Sequence, residues 1–213
     1  YAMRRFNAGL DRSIPSPLSL PDGEDRVIES ADGAKLEVRI AGPADAPSTI
    51  VLTHGWTNDR RVWGAVATSL VERGHRVVLW NQRGHGGSTG GDDGFTIEAI
   101  GADVRAVLEQ LDLRDAVLVG HSMGGMASMA FLTQHPDARD RVAALALVAT
   151  GASGVGARGG RVAQAIAVQA IAHPRVEKAV SSARLGPIFM RNTVGRRPAH
   201  SHLAAVQELF VAT

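Results

Sequence analysis

Ala116-Val117-Leu118-Val119-Gly120-His121-Ser122-Met123-Gly124-Gly125 is the stretch on which the fold turns. Its first four residues are an apolar run of the length of a buried strand, and the run stops at Gly120. A helical pattern opens at Ser122, continues through Met126, Ala130 and Phe131 to His135, and is closed by Pro136. Between strand and helix lies G-x-S-x-G. A turn that sharp brings neighbouring backbone close, so the positions two before and two after the serine must be small. Gly120 and Gly124 meet that demand. The serine hydroxyl is then expected above the end of a sheet, beside helix N–H groups that favour negative charge.

Working outward, the chain alternates buried strands with helices. Arg26–Ser30 and Lys35–Ile40 read as a hairpin through Asp32-Gly33. Thr49–Thr53 is a continuous apolar strand ending in His54-Gly55-Trp56. Asp59 is placed to cap a helix running to about Arg73, and Arg76–Trp80 follows as the next strand. Asn81–Ser88 is a Gly-rich loop. Thr96–Leu111 reads as an amphipathic helix, and Val142–Ala149 as a further buried strand. This order predicts an α/β fold, a mainly parallel sheet with helices on both faces. The loops after Thr53, Trp80 and Val119 all leave one edge of it, where such sheets bind ligands. The expected division is a lead-in over 1–25, a core over 26–150 and a helical cap over 151–213.

Composition narrows the classes. With 213 residues, 45% of them hydrophobic, the chain can bury a core. It has no cysteine, which excludes disulfides and thiolate metal sites; neither a metal nor a cofactor is expected. A net charge of +2 with no concentrated basic face gives no sign of nucleic-acid binding. Arg184, Arg191, Arg196 and Arg197 are read as a solvated face of the cap. No apolar run approaches the roughly 18 residues of a transmembrane helix, and Tyr1–Asp11 has no secretory pattern, so the expected compartment is the cytoplasm.

Three signatures in this order, His54-Gly55-Trp56, Asn81-Gln82-Arg83-Gly84-His85-Gly86-Gly87-Ser88 and Gly120-His121-Ser122-Met123-Gly124-Gly125, resemble the α/β-hydrolase family. The match covers about Arg26 to Thr150 and continues more loosely through the cap. The resemblance implies that Ser122 is the nucleophile on an elbow. It implies that the backbone N–H groups of Trp56 and Met123 form an oxyanion hole. His54, Gly55, Gly120, His121, Gly124 and Gly125 would support the turns, His54 as a hydrogen-bonding residue and not as the base. A serine at the elbow, where some members carry aspartate, points to ester chemistry on a small or lipid-like carboxylic ester. The elbow itself is similar to that of monoacylglycerol lipases and small esterases. Asn81 departs from the aspartate often found there.

The resemblance also implies an acid and a histidine after the elbow, and no strand end after Val142–Ala149 remains to carry them. His135 is a helix length from Ser122; His173, His200 and His202 read as cap residues. The expectation is therefore a C-terminally incomplete hydrolase whose strand Val142–Ala149 is an open apolar edge, completed by another chain or by self-association. Two other readings stand beside the esterase: a cofactor-free haloperoxidase, perhydrolase or carbon–carbon bond hydrolase on the same fold, and a non-catalytic binding module or inactive fragment.

Overall fold

The computed structural model describes residues 18–152 together with Ala205, Glu208 and Leu209. The expected cap over 151–213 lies almost wholly outside the described residues, as does most of the lead-in. The chain divides into two compact units, one of them Leu20–Ala152, and the site belongs to that unit.

Six strands form one sheet in the order β1-β2-β4-β3-β5-β6. They are β1 (Gly23–Glu29), β2 (Lys35–Ala41), β3 (Thr49–Thr53), β4 (Arg76–Trp80), β5 (Ala116–His121) and β6 (Val142–Val148). β1 and β2 are the expected hairpin, closed at Gly33 with φ 84°. β1 starts three residues before the expected opening of the core. β2 runs antiparallel to β4, and β4, β3, β5 and β6 are mutually parallel.

The helices are α1 (Gly64–Glu72), α2 (Ile97–Gln110) and α3 (Met123–Gln134). Each strand of the parallel sheet sends alternate residues to opposite faces, which is why the strands are apolar throughout. Val51, Val78, Trp80 and Leu118 pack with Ile100, Val104 and Leu108 of α2 and Phe131 of α3. Leu52, Val77 and Leu79 pack on the other face with Ala67 and Leu70 of α1. Thr96 caps α2, its hydroxyl accepting from the Ala99 N–H at 3.1 Å. A Cβ on Gly101 would lie 3.0 Å from the Ala130 Cβ and the Phe131 nitrogen, so α2 and α3 approach closely there.

Two expectations need correction. Asp59 caps a 3-10 turn over Arg60–Trp63, and only then does α1 begin, so the single helix from Asp59 to Arg73 is two pieces. β6 is not buried. It is the last strand of the sheet, and Leu147 and Val148 are 46% and 42% exposed. Among the described residues no further strand covers it, so β6 is the open apolar edge expected of Val142–Ala149 and not a strand buried on both faces.

Register sets the site. Thr53 lies opposite Trp80 on one side and Gly120 on the other, and His121 lies opposite Val148. The four parallel strands therefore end at one level. No helix among the described residues is long and apolar enough to cross a membrane.

Candidate active site

Ser122 follows β5 directly and has φ 50° and ψ −117°, a conformation rare outside glycine. Its neighbours have no room for side chains. A Cβ on Gly120 would come within 2.5 Å of the Gly124 oxygen and the Gly125 Cα. On Gly124 it would lie 2.5 Å from the carbonyl oxygens of Thr53 and His54, and on Gly125 2.6 Å from Thr150 Cγ2. Real Cβ atoms do not come that close to backbone, so a strand-to-helix bend this tight requires glycine at 120 and 124, while at Gly125 the space is taken by the Thr150 side chain.

Gly55 is the second close approach. A Cβ there would sit 3.2 Å from Ser122 Cβ and 2.9 Å from His121 Nδ1, which places the turn after β3 directly against the serine. Trp56, the next residue, is 47% exposed. Met123 is buried and is the first residue of α3, so its N–H has no helical acceptor. Neither the Trp56 nor the Met123 N–H donates a hydrogen bond among the described residues. Ser122 itself is partly exposed.

His54 is fully buried, and both ring nitrogens are engaged. Nδ1 lies 2.8 Å from the Gly55 carbonyl oxygen, and Nε2 accepts from the Gln82 N–H at 3.0 Å. That pattern requires the neutral ring with its proton on Nδ1. Burial pushes its pKa down to about 4. The Gln82 side-chain amide donates to the His54 carbonyl at 2.6 Å, so the turns after β3 and β4 are tied twice. His85 meets the His54 ring edge-on at 5.1 Å and is also held below its usual pKa by burial. His121 packs between Gly55 and Trp63, 6.5 Å from the Trp63 ring centroid, and its pKa is likewise lowered by burial.

The Gly-rich loop after β4 is fastened by ions that sequence reading passed over. Arg83 is buried and uses all five of its N–H groups: two on Asp103 at 2.7 Å, two on Asp32 at 2.7 and 3.1 Å, and one on the Gly94 carbonyl at 2.9 Å. Its pKa is raised by these carboxylates, and the Asp32 carboxyl is held below its ordinary range chiefly by Arg83. The only sequence clue is an acidic residue on the otherwise apolar face of α2. Asn81 accepts from the Arg60 N–H at 2.7 Å and donates to Glu37 at 2.8 Å. An aspartate there would set carboxylate against carboxylate, which accounts for the departure at this position.

Thr150 was also not singled out from the sequence. It lies just past β6, and its hydroxyl donates to the Ser122 carbonyl oxygen at 2.6 Å. Among the described residues no imidazole or carboxylate hydrogen-bonds the Ser122 hydroxyl. His135 is the C-cap of α3, at the other end of that helix from Ser122, and His173, His200 and His202 lie outside the described residues. No three His, Cys, Asp or Glu side chains converge among the described residues as metal ligands would.

A strained serine between a parallel strand and a helix, with a second turn against it, defines a scaffold of the α/β-hydrolase type. The family model for the alpha/beta hydrolase fold matches residues 48–170, and the chain belongs to that family. It is 36% identical over 121 residues to a non-heme chloroperoxidase of Burkholderia pyrrocinia, covering 57% of this chain and 43% of that one. It is also 36% identical over 121 residues to the bifunctional esterase/perhydrolase DCH of Acinetobacter calcoaceticus, with the same coverage. The chain thus spans less than half the length of these two relatives. The crystal structure of esterase RhEst1 from Rhodococcus sp. ECU1013 superposes with a TM-score of 0.70 at 26% identity, covering 89% of this chain and 69% of that one.

Proposed function

We propose that the protein is a serine hydrolase that cleaves a small or lipid-like carboxylic ester through an acyl-enzyme on Ser122. The reading rests on one observation above all: the partly exposed Ser122 stands on a strained bend with Gly55 packed against its Cβ. The Ser122 hydroxyl attacks the ester carbonyl and gives its proton to a base. The carbonyl π electrons move onto oxygen, and the N–H groups of Trp56 and Met123 receive that oxyanion. Each such donor contributes roughly 3–4 kcal/mol in the transition state. Collapse releases the alcohol, and water then cleaves the acyl-serine. His54 is not the base in this reading, because its two nitrogens are committed to Gly55 and Gln82. The base and its orienting acid are assigned to residues other than the described ones.

A perhydrolase is the second reading, favoured by the name of the Acinetobacter calcoaceticus relative, a bifunctional esterase/perhydrolase. Hydrogen peroxide would attack the same acyl-serine in place of water, releasing a peracid and restoring the serine. Hydrolysis of p-nitrophenyl esters of graded acyl length by the native protein, with and without peroxide, tests both. Esterase turnover that falls about a million-fold in Ser122→Ala supports the nucleophile. Peracid formation outpacing hydrolysis moves the assignment to the perhydrolase, and no turnover with any ester leaves a binding module.

A further inference from the structure

Ser122 shares a peptide unit with Met123. The carbonyl oxygen of that unit belongs to Ser122, and its N–H is the proposed oxyanion donor. In a planar trans peptide the two point in opposite directions, so whatever fixes the carbonyl also aims the N–H. The Ser122 oxygen accepts three hydrogen bonds. Two come from α3 itself, from Gly125 N at 3.0 Å and Met126 N at 3.3 Å. The third and shortest comes from outside the helix, from Thr150 Oγ1 at 2.6 Å. The same strand end takes the Ser122 N–H, which donates to the Val148 carbonyl at 2.9 Å. The Thr150 methyl meanwhile fills the space above Gly125 that a side chain there would occupy.

We infer that Thr150 is a positioning residue for the oxyanion hole: its hydroxyl anchors the Ser122–Met123 peptide, aims the Met123 N–H at the developing oxyanion and polarises it. A hydrogen bond accepted at the carbonyl draws electron density from the amide nitrogen and makes the N–H a stronger donor. The anchor also holds the serine in its strained conformation, which persists only where surrounding contacts over-determine it. The inference rests on the proposed role of Ser122.

The test compares Thr150→Val, Thr150→Ser and Thr150→Ala in the native protein. It measures kcat and KM for p-nitrophenyl acetate, and inhibition by phenylboronic acid, which forms a tetrahedral adduct on a nucleophilic serine. Loss of the hydroxyl in Val and Ala is expected to lower kcat about tenfold with KM nearly unchanged. The boronic acid inhibition constant rises by a similar factor, and Ser restores both. A role in packing alone would not move the inhibitor and kcat together. If Val does not fold, Ser and Ala decide the matter, because they differ in the hydroxyl alone. Equal kinetics in Ser and Ala overturn the inference. Full hydrolysis by Ser122→Ala overturns the nucleophile reading instead, so the two failures are distinguishable.

Discussion

Ser122 holds φ 50° and ψ −117°, at a cost of about 1–3 kcal/mol for a residue with a Cβ. Glycine adopts that conformation without strain. Ser122→Gly is therefore expected to unfold at higher denaturant than Ser122→Ala, by about 1 kcal/mol, although both lack the proposed nucleophile. Equal midpoints would mean that the bend stores no strain. Gly124→Ala is expected to cost about 3 kcal/mol or more, because the new methyl meets two carbonyl oxygens of the backbone and not a side chain that can turn aside. The sequence made these glycines readable, since G-x-S-x-G between an apolar run and a helical pattern has a steric explanation. Thr150 was not readable from the sequence. A threonine two residues past a strand looks like any loop threonine until β6 lies beside β5.

At the scale of elements, the turns after β3 and β4 are joined through His54 and Gln82, and the β1–β2 turn is joined to α2 through Arg83. Burial lowers the His54 pKa from 6.5 to about 4. Between those values the unfolded chain binds a proton that the folded chain refuses. Stability is thus complete above pH 6.5 and falls as pH drops toward 4, by about 3 kcal/mol. Burial of His85 and His121 acts in the same direction. Urea unfolding across this range should show stability rising with pH, with a shallower rise in His54→Asn; identical slopes would remove His54 as the cause. Arg83→Met leaves the Asp32 and Asp103 carboxylates buried without their partner and is expected to cost about 3–5 kcal/mol in the same measurement. Strand positions were legible here because apolar runs mark them, and β3 and β4 fall where those runs do. The Arg83 pairing joins residues twenty and fifty-one positions apart, a distance at which no local pattern reports.

Across the whole described unit, the sheet is protected unevenly at its two margins. β1 carries Glu24, Asp25 and Arg26, charges that discourage pairing along an edge. β6 presents Leu147 and Val148 with no such guard. A protein consisting of these 213 residues is expected to associate as its concentration rises, and Leu147→Lys to reduce that association in sedimentation velocity; concentration-independent monomers would refute this. The alternation of strands and helices made the sheet legible, and the want of any later apolar run marked Val142–Ala149 as its open edge, where β6 lies. The central claim is that Ser122 is an activated nucleophile. Treating the native protein with a fluorophosphonate probe and mapping the adduct by mass spectrometry tests it most directly. A single phosphonylated residue, Ser122, and no labelling of Ser122→Ala are expected; an unmodified Ser122, or an adduct that persists in the variant, would refute the hydrolase reading.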